Sequence, residues 1–182
     1  MSSPSDDALW QRIADHRIGP ADASLSFTAR LARENRWSEG HAQRVIGEYK
    51  RFCYLAMRAG HEVTPSDAVD QAWHLHLSYT RDYWQVFCPQ VLQAELHHGP
   101  TQGGTAERER FYRQYADTLA AYEAAFSEVP PADIWPAARR RFSVDPQGVR
   151  VNFSDGIMLQ RRVALALGLI VFVTGWLAGR MM

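Results

Sequence analysis

The sequence predicts an all-α fold: a single compact helical domain followed by one C-terminal transmembrane helix. Three observations carry this. Apolar residues recur at helical spacing through most of the first 140 or so positions, and the alternating pattern of a half-buried strand is almost absent. Helix start and stop residues bracket the periodic stretches. Near the end, "VALALGLIVFVTGWLAG" at residues 163–179 contains no charge. It is close to the lower limit of about 17 residues for a membrane span.

Taken in order, "DDALWQRIADHRI" puts Leu9, Ile13 and nearby Trp10 on one face, with Asp6 and Asp7 suited to the positive helix end. "GPADAS" breaks the pattern. "SLSFTARLARENRW" aligns Leu25, Ala29 and Ala32, with Phe27 and Leu31 beside them. The next helix has Ser38 as its cap, carries Val45, Tyr49, Phe52 and Ala56 on one face, and stops at Gly60. "EVTPSDAVDQAWHLHL" opens with Thr64 as expected cap, Pro65 as first helical residue and Asp67 as an early acid, and runs toward Tyr79. "TRDYWQVFC" continues as helix and is expected to break at Pro89. After the "GPTQGG" loop, Thr105 is expected to cap a long helix with Phe111, Tyr115, Leu119 and Tyr122 as its stripe. "PPADIWPAARRRF" predicts a short proline-bounded helix. The domain is assigned to residues 1–142, a linker with a short strand at 149–153 to residues 143–160, and the membrane anchor to 161–181.

Charge and cysteine content narrow the function. The 182 residues carry 20 basic and 20 acidic side chains, so there is no basic field to attract nucleic acid, and none is expected as a partner. Cys53 and Cys88 are isolated in apolar contexts, which fits buried, reduced thiols rather than a thiolate zinc site. "MSSPSDDALW" lacks the features of a signal peptide. Arg150, Arg161 and Arg162 precede the apolar run and only Arg180 follows it, which is expected to keep the domain on the cytoplasmic side of the membrane. The Arg139, Arg140 and Arg141 run would meet anionic lipid headgroups.

The chemistry concentrates in "VDQAWHLHLSYTRDYW" and "ELHHGPTQGG". On a helix, residues two apart point about 200° away from each other, so His74 and His76 cannot chelate one ion. Asp70 and His74, four apart, share a face. A divalent metal such as zinc is therefore expected on Asp70, His74 and one or both of His97 and His98, with Trp73, His76, Thr80 and Tyr83 supporting them. Glu48 and Glu95 are further carboxylates that nothing in the sequence places. The competing reading makes Asp70–His74 a buried structural pair, and the domain a non-enzymatic module that docks a protein partner at the membrane. A third makes His74 the general base of a hydrolase. "GPTQGG" is no P-loop, since it lacks the terminal Lys and the preceding strand.

These blocks, with "EYKRFCYLA" before and "YADTLAAYEAAF" and "PPADIW" after, resemble the bacterial glycine-rich domain-containing protein-like family. The resemblance rests on Asp70, Trp73, His74, His76, Thr80, Tyr83, His97, His98, Pro100 and Thr101, and extends from about residue 9 to 136. It implies no reaction and no ligand. The chain lacks the long glycine-rich tract of that name.

Overall fold

A computed structural model describes residues 7–99 and 103–143. Seven α-helices and one π-helix form the regular structure of these residues: α1 (Ala8–Asp15), α2 (Phe27–Asn35), α3 (Glu39–Arg58), α4 (Asp67–Ser78), α5 (Thr80–Asp82), the π-helix π1 (Tyr83–Leu92), α6 (Thr105–Phe126) and α7 (Ala138–Ser143). The chain divides into a unit over Met1–Asp145 and a second over Pro146–Met182. The expected linker strand and the apolar run at 163–179 lie outside the described residues. Among the described residues, no helix is long and apolar enough to cross a membrane.

α3 is the central element, touching α1, α2, α4 and α6. Its buried positions explain this. Ala42, Val45, Ile46, Tyr49, Phe52, Cys53, Tyr54 and Leu55 are spread around more than one face of the helix. A helix apolar on one stripe needs one neighbour; one apolar on several sides must be surrounded. Leu9 and Ile13 of α1 and Phe27 and Leu31 of α2 complete one side, and Val69, Ala72 and Trp73 of α4 another. On α2 the buried stripe is Phe27, Leu31 and Ala32; Leu25 and Ala29, expected inward, are half-buried. The two large residues decide the helix's rotation because they bury the most apolar area.

Two helix starts differ from expectation. α4 is capped by Ser66, whose Oγ accepts from Val69 N at 3.2 Å, rather than by Thr64. Thr64 is instead buried against α6, where its N–H donates to Thr118 Oγ1 at 2.9 Å. Thr105 is the first residue of α6 and caps nothing; Glu107 bonds back to Gly103 N at 2.6 Å and closes the turn. Pro89 does not end its helix. A proline leaves the carbonyl four residues back without its donor. Here the helix continues as a wider π turn, whose bonds run five residues back, and Gln90 Nε2 also donates to Gln85 O at 3.0 Å. The helix ends later, at Gln93, in the left-handed conformation (φ 57°).

Candidate functional site

α4 carries its two histidines to opposite surroundings. His74 stands on the exposed side, with its side chain 54% accessible, while His76 is fully buried. Each meets one aspartate and one further histidine, so one motif builds two Asp–His–His groups.

The first group is the one expected from sequence, with one change. Asp70 and His74 face each other across a helical turn, Oδ2 to Nε2 at 3.7 Å. His98 comes in from the loop after π1. Its Nε2 lies 2.8 Å from Asp70 Oδ1 and 2.9 Å from His74 Nε2. Trp73 and Tyr83 hold that loop. Trp73 Nε1 donates to Tyr83 Oη at 2.9 Å, and Tyr83 donates to the carbonyl of Leu96, two residues before His98. The edge of the Trp73 ring then packs on His98, with centroids 4.5 Å apart. His97 does not join. It is exposed, bonds Glu95 at 2.8 Å and packs on Trp84 at 5.3 Å. Glu48 is committed elsewhere, to Trp135 Nε1 at 2.9 Å. Thr80 is exposed at the start of α5, while Pro100 and Thr101 lie outside the described residues.

Proton bookkeeping at His98 is informative. A ring nitrogen carries one hydrogen or one lone pair, and a carboxylate only accepts. His98 Nε2 therefore turns its hydrogen toward Asp70, and nothing on that nitrogen is left for His74 except a share of the same hydrogen. A cation between the two imidazole nitrogens and the carboxylate would satisfy all three groups. Bonds of about 2.0–2.1 Å to one ion place neighbouring ligands roughly 2.9 Å apart in an octahedron and 3.3 Å apart in a tetrahedron. The observed separations, 2.8 Å to Asp70 Oδ1, 2.9 Å between the imidazoles and 3.7 Å to Asp70 Oδ2, span those values.

The second group was not legible in the sequence. His76 Nε2 is 2.7 Å from Asp82 Oδ2, and His16 Nε2 reaches the same oxygen at 3.1 Å from the end of α1. On the other side of the ring, His76 Nδ1 is 2.9 Å from Tyr49 Oη. The directions of these bonds follow from the chemistry. Both imidazoles donate Nε2–H to the carboxylate, and Tyr49 donates its hydroxyl hydrogen to His76 Nδ1. Burial pushes the His76 imidazole below its usual value, against the hydrogen bond and charge of Asp82. For Asp82, burial alone would raise the carboxyl; the bonds from His76 and His16 together outweigh it and hold the group below the usual range. Burial likewise keeps the Tyr49 phenol and the Cys53 and Cys88 thiols protonated. Asp82, six residues after His76, was within reach of sequence reasoning as an acid near a histidine. His16 gave no signal, because α1 approaches from sixty residues away.

A family model described as UCP032817-like matches residues 23–114, about half of the chain. The chain belongs to the UCP032817-like family. The matched span holds Asp70, His74 and His98 together with His76, Asp82 and Tyr49, but not His16. No curated protein and no solved structure matches the chain.

Proposed function

We propose that this UCP032817-like chain is a membrane-tethered helical domain that holds one divalent metal ion through Asp70, His74 and His98. One observation carries the metal reading: three ligand atoms from α4 and the loop after π1 converge, and the single hydrogen on His98 Nε2 must otherwise serve two contacts at once. Two imidazoles and a carboxylate leave coordination positions open, and the exposure of His74 puts those positions toward solvent. An ion bound there would act as a Lewis acid on a substrate oxygen or lower the pKa of a bound water. The tether rests on the uncharged run at 163–179 and the arginines before it, which favour a cytoplasmic domain at the bacterial inner membrane. The finer likeness to glycine-rich domain-containing protein-like chains belongs to this reading too, through the blocks around His74 and His98.

Mass-spectrometric metal analysis of the full-length chain, after reconstitution with zinc, tests this. Near-stoichiometric metal in the parent and its loss in folded Asp70→Asn and His98→Ala variants is the expected result. A metal-free parent, or equal metal in all three proteins, overturns it.

The second reading is a docking module with structural histidines. The closed bonding of His76 favours that role for its own group, and the exposed Trp84, its ring tilted against His97, offers an aromatic contact to a protein partner.

A further inference from the structure

A separate pocket of about 320 Å³ opens where the end of α1, the connection after it, the start of α2 and the middle of α3 meet. This volume lies at the small end of ligand sites, roughly 300–1,000 Å³. Its wall is rich in unspent donors. Lys50 is a half-buried ammonium whose pKa burial lowers, against the charge of Asp15. It has three N–H groups and, among the described residues, one acceptor, Ala14 O at 2.6 Å. At the first turn of α2, Ser26 Oγ takes the N–H of Ala29, while the N–H groups of Phe27 and Thr28 find no acceptor among the described residues. The positive end of that helix dipole faces the same region. Asp15, exposed at the rim, is the carboxylate on the wall.

His16 adds an acceptor of a particular kind. Its side chain is only 9% accessible and lines the pocket. With its Nε2–H spent on Asp82, the neutral form of the imidazole keeps a lone pair on Nδ1, and that atom makes no hydrogen bond among the described residues. Asp82 is fixed in turn by His76, and His76 by Tyr49. A ligand that fits this wall carries ionised oxygens for Lys50 and the α2 N–H groups, and one acidic O–H for His16 Nδ1.

We propose that this pocket binds inorganic phosphate, with Lys50 and the start of α2 on its ionised oxygens and the neutral form of His16 accepting the P–O–H hydrogen at Nδ1. Sulfate at neutral pH and the phosphodiester of a lipid headgroup lack that hydrogen. Both meet His16 lone pair to lone pair and are disfavoured. The site is independent of the metal reading, since none of Asp70, His74 and His98 lines it.

The test is calorimetric titration of the full-length chain with inorganic phosphate at pH 7, in the presence of a chelator, with sodium sulfate and sodium acetate in parallel. Saturable binding is expected, weakened at least about tenfold in Lys50→Met. His16→Phe should erase the preference for phosphate over sulfate. Unfolding curves confirm that each variant is folded, and Lys50→Met serves alone if His16→Phe is not. No saturable phosphate binding, equal affinity in parent and Lys50→Met, or equal affinity of the parent for phosphate, sulfate and acetate overturns the proposal.

Discussion

His74 and His76 differ in fate because of one angle. Two residues apart on a helix they diverge by about 200°, so α4 sends one ring to the surface and the other into a cage of Tyr49, Phe27, Tyr83 and Phe87. The buried ring makes the stability pH-dependent. His76 titrates below its unfolded value of 6.5, so the unfolded chain binds the proton first. Its contribution is complete above pH 6.5 and is lost as the pH falls below it. The urea midpoint should therefore drop between pH 7 and pH 5, and His76→Gln should flatten that slope while lowering the midpoint at pH 7. Tyr49→Phe leaves His76 Nδ1 buried without its donor and should cost about 1–3 kcal/mol by urea unfolding at pH 7. Trp73→Phe acts differently. It removes the donor that anchors Tyr83 and, through it, the carbonyl of Leu96. If Asp70, His74 and His98 hold a metal, its affinity should fall about 10- to 100-fold in a folded protein, measured by competition with a chelating dye.

At the scale of elements, the caps and turns decide where each helix presents its side chains. Ser66 fixes the start of α4, and with it the rotation that sets Asp70 and His74 outward and His76 inward. Its hydroxyl is fully buried, so Ser66→Ala should destabilise by about 1–2 kcal/mol. Thr105→Ala, at a position that caps nothing, should change stability by no more than about 0.5 kcal/mol. The contrast, measured by chemical denaturation, separates true caps from residues that only look like them. Gly19 marks another constrained turn, with φ at 77° and the Tyr79 ring 2.8 Å from where a Cβ would stand. Tyr79 closes the end of α4, so this contact ties the α1–α2 connection to the helix that carries both histidines. The π-helix has a related role. Its wide turns, ending in the left-handed Gln93, set the path of the loop that delivers His98. π turns are rare and recur at functional sites.

At the scale of the whole molecule, the domain is built around α3, and both Asp–His–His groups draw one histidine from α4. A ligand that binds only the folded state adds stability in proportion to the logarithm of its concentration. Zinc at about 100 times its dissociation constant should raise the unfolding free energy by about 2.7 kcal/mol, and His98→Ala should abolish that gain. Because His98 lies on a loop and is partly exposed, the variant should otherwise retain its fold. Thermal unfolding with and without zinc reads both results.

The sequence by itself determined the helices, their apolar faces and the opposition of His74 and His76, because these follow from local periodicity and the 3.6-residue turn. It also singled out Asp70 and His74, by their spacing on one helix, with His97 and His98 as further candidates. It did not choose between His97 and His98, since adjacent loop residues carry no periodicity to tell them apart. It missed the true cap of α4, because Thr64 and Ser66 are equivalent caps until α6 claims Thr64 through Thr118. It read Pro89 as a stop, because the π turn that carries the helix past it is announced by no local propensity. Only the tertiary structure joined His16 to Asp82 and His76 and opened a pocket beside them. Those contacts link residues 66 positions apart, and packing of α1 against π1 creates them.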